Sequence, residues 1–389
     1  VQAARGDLDG ALKAYRDSLA IIERLVRSDP GNASRQHDLS ISSIKVGDVL
    51  RAQGDLAGAL KSYRDSLAIF EQLAQSDPGI SFWQRELSVS YERIGGVQEA
   101  QGDLEAALKS YRDNLVIAER LAQSDRGNAG LQRDLSVSYI SVGGVQQAQA
   151  DLAGALKSYQ AALAIVERLT QSDPGNSLWQ HDLSLVYSRM GDVQRTQGNL
   201  ADAIKSYRDS IAIFERLAQS DPGNSGWRRD LMVSYAKVGE VQQAQGDLTG
   251  ALKSYRSSLA VIEKPAQSEP GNTGDKHSQE DLRHLGDSIG GLAFSFVLKR
   301  DFATGLEVVD QAISLAPDKI WLYAIRAHAL MFLGRIEEAR SLYLKYRGEE
   351  NVEGKSWKTG ILDDFAELRQ AGLTNPLMDE VQKIFTSAG

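Results

Sequence analysis

The chain contains no cysteine among its 389 residues. Disulfides, thiolate metal ligands and cysteine nucleophiles are excluded together, and the composition suits a reducing compartment such as the cytoplasm. Long basic runs are missing as well: none exceeds a pair such as Arg228-Arg229, and the formal net charge is −8. A surface of that sign repels nucleic acid and anionic lipid on average, so neither is expected as a partner. No apolar stretch approaches the roughly 20 residues that span a bilayer, and no signal peptide shows at the amino terminus. What is present is ordinary material for a folded core, 42% hydrophobic and 25% charged, with a mean hydropathy of −0.33.

An internal repeat organises that material. Gly54-Asp55-Leu56 recurs as Gly102-Asp103-Leu104, Gly198-Asn199-Leu200 and Gly246-Asp247-Leu248, upstream as Gly6-Asp7-Leu8, and once altered as Ala150-Asp151-Leu152, in steps of 48 residues. After Asp55 the apolar positions Leu56, Leu60, Tyr63, Leu67, Phe70 and Ala74 are spaced alternately by four and three, one stripe of a helix. Asp55 stands where an N-cap belongs, and Gly54 where the preceding helix needs a left-handed residue. This helix B ends at Ser76-Asp77-Pro78-Gly79, a turn repeated at Ser172-Asp173-Pro174-Gly175. Helix A then starts near Ser81 or Ser177, with Gln84 or Gln180 as capping-box partner. It carries Trp83, Leu87, Tyr91 and Ile94 inward. Two antiparallel helices per unit, stacked in series, give an all-α solenoid.

With these residues in view, the sequence resembles the tetratricopeptide repeat family. Tyr91, Ile94-Gly95, Gly102, Ala107 and Tyr111 fall at the family's pattern positions, as do Tyr187, Met190-Gly191, Gly198, Ala203 and Tyr207. The resemblance implies a right-handed superhelix of antiparallel helix pairs that binds a protein or peptide along its concave face. The departure is length: fourteen residues beyond the family's 34 extend each helix by roughly two turns, about 11 Å. Lengthened units of this kind look like those of multi-repeat bacterial signalling proteins.

The period divides the chain. Residues 1–268 form the array of 48-residue units, the first incomplete. Residues 269–285 read as a junction: Pro265, just before it, should end helix B early, and the stretch Ser268 to Gln279 is polar and irregular. Residues 286–347 fit 34-residue units, with Gly305 and Ala312 before Pro317, then Gly334, Ala339 and Tyr343. Residues 348–389 read as a loop, Gly348 to Lys358, and two capping helices, Ile361 to Gln370 and Pro376 to Phe385. Val1 to Arg5 aligns with Val241 to Gln245, so the chain reads as starting mid-repeat, part of a longer polypeptide.

Near-identical units also sort candidate chemistry, because a scaffold residue recurs and a catalytic one is unique. Tyr63, Tyr111, Tyr159, Tyr207 and Tyr255 recur, as core aromatics do. Trp83, Trp179 and Trp227 alternate with Leu131 and Arg35, which suits packing rather than base stacking. His37 and His181 share a position with Arg85, Arg133 and Arg229, and arginine does no imidazole chemistry, so they read as solvated polar residues. His277 and His284, near Asp281 and Asp287, match no tight metal-ligand spacing. His328 reads as packed or facing the concave side. Gly286-Asp287-Ser288-Ile289-Gly290-Gly291 resembles a serine-protease signature with one insertion, but an amphipathic helix supplies no oxyanion amides. Neither an enzyme nor a cofactor or metal is expected.

Binding residues are expected where the near-copies differ. One row along the A helices is Ile44, Glu92, Ile140, Ser188 and Ala236. A second is Asp48, Gly96, Gly144, Asp192 and Glu240, and a third Arg51, Glu99, Gln147, Arg195 and Gln243. Variation there lets a solenoid read different groups along an extended protein or peptide partner. Neutral drift at exposed sites gives the same variation, and self-association stays open. The second functional reading is a sensor or oligomerisation arm of a larger signalling protein with its effector or catalytic domain upstream.

Overall fold

The computed structural model describes residues 7–263, 276–349 and 356–387. Among them are seventeen helices and no strand. They form two compact units, Val1–Gln197 and Gly198–Gly389.

The first unit holds α1 (Leu8–Ser28), α2 (Ala33–Ala52), α3 (Leu56–Ser76), α4 (Ser81–Ala100), α5 (Leu104–Ser124), α6 (Ala129–Ala148), α7 (Leu152–Ser172) and α8 (Ser177–Thr196). Odd-numbered helices are B helices of 21 residues and even-numbered ones A helices of 20. Each turn into a B helix is built locally. Gly54 and Gly102 lie at φ +83° and +79°, and Ala150 is held at +62° despite its Cβ. The aspartate that follows caps the helix: Asp55 and Asp151 Oδ1 accept from Gly58 and Gly154 N–H at 2.9 Å, Asp103 from Ala106 at 3.1 Å.

The A helices are capped one residue earlier than the sequence suggested. Asn32, Asn128 and Asn176 accept from the amides of Arg35, Leu131 and Trp179, each at 3.2 Å. Ile80 stands at this position in α4, which has no side-chain cap. Gln84 and Gln180 close no capping box. Their amides reach backwards, Gln84 to the Ala74 carbonyl and Gln180 to Pro174, both at 3.3 Å. They satisfy carbonyls at the preceding helix end and turn.

The core runs along the contact between the two helices of each pair. Tyr63, Phe70 and Ala74 are buried, and Leu56, Leu60 and Leu67 pack half-buried around them. Helix A presents glycine to the tyrosine ring of helix B. A Cβ at Gly47, Gly95 or Gly143 would lie 2.6, 2.8 or 2.7 Å from Cε1 of Tyr63, Tyr111 or Tyr159. Beside that contact, Ser110 and Ser158 donate to Gln98 and Gln146 at 2.7 Å. Successive A helices are tied by an ionic ladder: Arg85 Nε meets Asp134 and Arg133 Nε meets Asp182, both at 2.6 Å. His37 occupies the arginine position of that ladder but is not simply solvated. It packs against Phe82, Trp83 and Phe70, with centroids 5.4, 5.8 and 6.1 Å away.

The second unit continues the pattern with α9 (Leu200–Ser220), α10 (Ser225–Ala244) and α11 (Leu248–Glu263). Pro265 lies outside the described residues. The chain resumes in α12 (Lys276–Leu298), so the last part of the polar stretch, Lys276 to Gln279, is helical. Then come α13 (Phe302–Leu315), α14 (Ile320–Phe332) and α15 (Ile336–Lys345), of 14, 13 and 10 residues. Last are α16 (Trp357–Gln370), which starts before Ile361 because Ser356 caps it, and α17 (Pro376–Ser387). They cover the apolar end of α14 and α15 with Trp357, Ile361, Phe365, Leu377 and Phe385. The protease-like string lies inside α12, where Ser288 donates to Glu240 at 3.0 Å. The fold is an α-solenoid of antiparallel helix pairs.

Candidate functional site

The three expected rows rest on the glycine–tyrosine contact, and the structure shows what that contact does for them. Each tyrosine ring passes beneath its glycine, and the hydroxyl emerges at the row positions. Tyr63 donates to Asp48 at 2.7 Å, Tyr111 to Glu99 at 3.0 Å and Tyr159 to Gln147 at 3.1 Å. In the second unit Tyr255 donates to Gln243 at 3.4 Å. The acceptor comes from the second row at Asp48, and from the third at Glu99, Gln147 and Gln243, where the second row is Gly96, Gly144 and Glu240. A Cβ at Gly96 would be 3.5 Å from the Tyr111 hydroxyl and 3.8 Å from an Arg51 guanidinium nitrogen. A constant buried ring therefore presents a variable polar group to the open side.

Burial separates the rows. Ile44 is only 5% exposed, inside the cluster around Tyr63 and Phe70. It is a core residue, a correction to its expected place on an open face, because the first row borders the core stripe. Ile140 is half-buried against the Tyr159 cluster, and Ser188 is half-buried. Asp48 is half-buried and also pairs with Arg93. Arg51, Glu99 and Arg195 are exposed, and Gln147, Asp192, Glu240 and Gln243 are intermediate. Gln243 also donates to Ser295 at 3.3 Å.

Two openings in the first unit take in several of these residues. A groove of about 440 Å³ is lined by Glu99, Ile140, Gly144 and Gln147, with Tyr111, Tyr159 and Arg189. A second cavity, of about 270 Å³, is lined by Arg85, Ser88, Glu92, Asn114, Arg133 and Asp134. Both arginines there are held by their own carboxylates. Burial raises the Glu92 carboxyl above its ordinary range, against the pull of Arg93. Burial, then the nearby Asp48, pushes the Tyr63 hydroxyl up to about 12, and burial does the same for Tyr159. These phenols stay protonated and act as fixed donors. Asp48, Arg51, Ser188, Asp192, Arg195, Glu240 and Gln243 do not line the 440 Å³ groove.

The second unit has a larger cavity, of about 570 Å³, among α12, α14 and α16. None of the row residues lines it. His328, which sequence reasoning left as packed or concave-facing, is fully buried behind its wall. His284 is exposed on α12 beside Glu280, and the His277 side chain lies outside the described residues. Among the described residues no group of three or more His, Cys, Asp or Glu side chains could hold a metal ion. No helix among them is long and apolar enough to cross a membrane.

No family model matches the chain, and no curated protein matches it. Solved structures do. The apo form of RapI is similar with a TM-score of 0.56 at 11% identity, covering 98% of this chain and 97% of that one. A signal transduction ATPase with numerous domains (STAND) and a tetratricopeptide repeat sensor, from Pyrococcus horikoshii, gives 0.53 at 13% identity. That match covers 98% of this chain and 50% of the other, so the chain spans about half the length of that protein. BtubC (BKLC) from P. vanneervenii gives 0.52 at 18% identity, over 69% of this chain and 96% of its own. These likenesses show a tetratricopeptide-like fold.

Proposed function

We propose that the chain is a protein-interaction scaffold that holds an extended segment of a partner along its A helices, in the groove lined by Glu99, Ile140, Gly144 and Gln147. The observation that carries the reading is the division of labour at each pair. The glycine–tyrosine contact recurs unchanged, while the group it presents changes from Asp48 to Glu99 to Gln147. Invariant backbone geometry with variable polar tips is what stepwise recognition of a peptide requires. Asp48, Arg51, Glu92, Ser188, Asp192 and Arg195 belong to the same proposal as flanking contacts in the first unit, and Glu240 and Gln243 are proposed as contacts made by the second unit by itself. Ile44 does not, being buried. The lengthened 48-residue unit, and the division of the chain at 268, 285 and 347 by repeat period, are part of this reading.

A displayed peptide library selected on the intact chain supplies the probe. Gly144→Trp fills the groove without disturbing the core, since a Cβ there meets nothing nearer than the Tyr159 hydroxyl at 3.9 Å. Gly144→Trp and Glu99→Lys should each weaken the selected peptides by about tenfold or more, roughly 1.4 kcal/mol, with helicity unchanged. Equal affinity in both variants sinks the assignment. Charge reversal at Glu92 plus Glu99 extends the test to the neighbouring cavity. A second reading, a sensor or oligomerisation arm of a larger signalling protein, takes its support from the likeness to the STAND protein over 98% of this chain. The complete reading frame decides it: a frame coding only further helical repeats removes that reading.

A further inference from the structure

The cavity among α12, α14 and α16 differs in chemistry from the groove. Its volume, about 570 Å³, is that of a small-ligand pocket. Phe294, Trp321 and Trp357 give it aromatic walls. The Trp357 ring is fixed, because its Nε1–H donates to the Tyr343 carbonyl at 2.8 Å. Trp321 is seated by the protease-like string of α12: a Cβ at Gly290 would stand 2.6 Å from the Trp321 ring. Glycine at 290 therefore admits the indole.

The charged lining is three carboxylates, Asp287, Asp363 and Asp364, and one ammonium, Lys319, with Ser356 beside them. Lys319 is taken by Asp287 Oδ2 at 3.0 Å. The other Asp287 oxygen is buried without a hydrogen-bond partner among the described residues. Asp364 is held from behind. His328 Nε2 lies 3.0 Å from its Oδ2, and His328 Nδ1 lies 2.7 Å from the Tyr343 hydroxyl. Both His328 and Tyr343 are fully buried. A histidine with no exposure aims one oxygen of a carboxylate that is itself about a third exposed, so the arrangement orients Asp364 rather than hiding it. Aromatic faces, an excess of negative charge and a pre-oriented carboxylate are together complementary to a planar cation.

We propose that this cavity receives the guanidinium of an arginine side chain on a partner polypeptide, stacked on Trp321 and hydrogen-bonded to Asp364. The proposal rests on the scaffold reading only in taking a polypeptide as the source of the arginine; its site is separate from the groove. His328 is a positioning residue that acts through Asp364.

The test is titration calorimetry of the intact chain with a blocked pentapeptide carrying a central arginine, alongside its citrulline and lysine counterparts and free L-arginine. The arginine peptide should bind with quenching of tryptophan emission, and citrulline, isosteric and uncharged, should bind at least about tenfold more weakly. Asp364→Asn should abolish the discrimination between arginine and citrulline while helicity is retained. Trp321→Phe should remove most of the quench and lower affinity for both arginine and lysine peptides. His328→Gln should weaken discrimination less than Asp364→Asn. Gly144→Trp, which blocks the groove, should leave this binding unchanged, so that failure of the groove and failure of the cavity are read separately. Equal binding of arginine and citrulline, or undiminished discrimination in Asp364→Asn, overturns the proposal, as does no binding up to about 10 mM. Free L-arginine binding as tightly as the peptide overturns the polypeptide source.

Discussion

The helix pairs of the first unit and the α14–α15 pair of the second solve one geometric problem in opposite ways. Each brings a tyrosine of helix B under helix A. In the first unit the ring meets glycine, and the hydroxyl reaches half-exposed or exposed acceptors such as Asp48 and Glu99. In the second, Ala327 and His328 stand 16 and 15 residues before Tyr343, as Gly47 and Asp48 stand before Tyr63. There the position that carries the half-exposed acid Asp48 in the first unit carries a buried imidazole, and α16 lies over it. The same register thus makes an open groove where helix pairs continue, and a walled cavity where the array is capped. What differs is whether the tyrosine hydroxyl is satisfied at the rim or by a polar chain inside the protein.

The sharpest way to break this contrast is at the histidine. His328→Leu leaves the buried Tyr343 hydroxyl with only the weak acceptor Met331 Sδ at 3.9 Å and removes the imidazole from Asp364, an expected loss of about 2–4 kcal/mol. Asp48→Ala, its register counterpart, should cost only about 0.5–1 kcal/mol, because the Asp48 side chain is about a third exposed and its removal lets water take its place as acceptor. Urea unfolding followed by hydrogen exchange at the two sites compares them locally, as a repeat array need not unfold in one step. Equal costs would remove the distinction between rim and interior.

Next in size is the ring contact. Gly143→Val drives a branched side chain into Tyr159, whose ring is fully buried, and should destabilise by about 2–3 kcal/mol. Ala327→Gly, the reverse kind of change beside Tyr343, should cost nearer 1 kcal/mol, from helix propensity. Thermal melts of the two variants give the order directly, and a neutral Gly143→Val would mean the glycine is not required by the ring.

The smallest effect belongs to the turns. Ala150 and Arg300 hold φ at +62° and +66°. Ala150→Gly should stabilise the first unit by about 1 kcal/mol. Arg300→Gly should gain less, since it also removes the Nη2 bond to the Gly372 carbonyl at 3.1 Å. A neutral or destabilising Ala150→Gly, read from the urea midpoint, would show that no strain resides there.

These comparisons also show what was legible in the sequence. Helix stripes, the Asp55-type caps and the left-handed turn at Ala150 are set by residues within one turn of each other, so pattern alone reaches them. The Asn176 cap was missed for Ser177, although both are good caps, because the choice depends on how the preceding Ser-Asp-Pro-Gly turn delivers the chain. Ile44 looked like a face residue because periodicity does not say how wide the buried stripe is. His37 looked solvated because its aromatic neighbours Phe82 and Trp83 lie on the next pair. The ionic ladder was within reach: arginine at 85 and 133 with aspartate at 134 and 182 recurs at a constant offset, and the offset was the signal. The cavity was not within reach, since Asp364, His328 and Trp321 meet only through the packing of α16 on α14.

One feature of the array bears on its history rather than its ligand. Within each unit the helices pack chiefly on those next to them in the chain, and the caps, turns and ring contacts recur at one spacing. Folding of such a polymer can nucleate at any pair and propagate to its neighbours, without waiting for distant sequence. Gain or loss of one helix pair inside the first unit leaves neighbours joined by turns and ring contacts of the same kind. An array of this construction can change length by whole helix pairs, and the series of groups set over the tyrosine hydroxyls, Asp48, Glu99 and Gln147, lengthens or shortens with it.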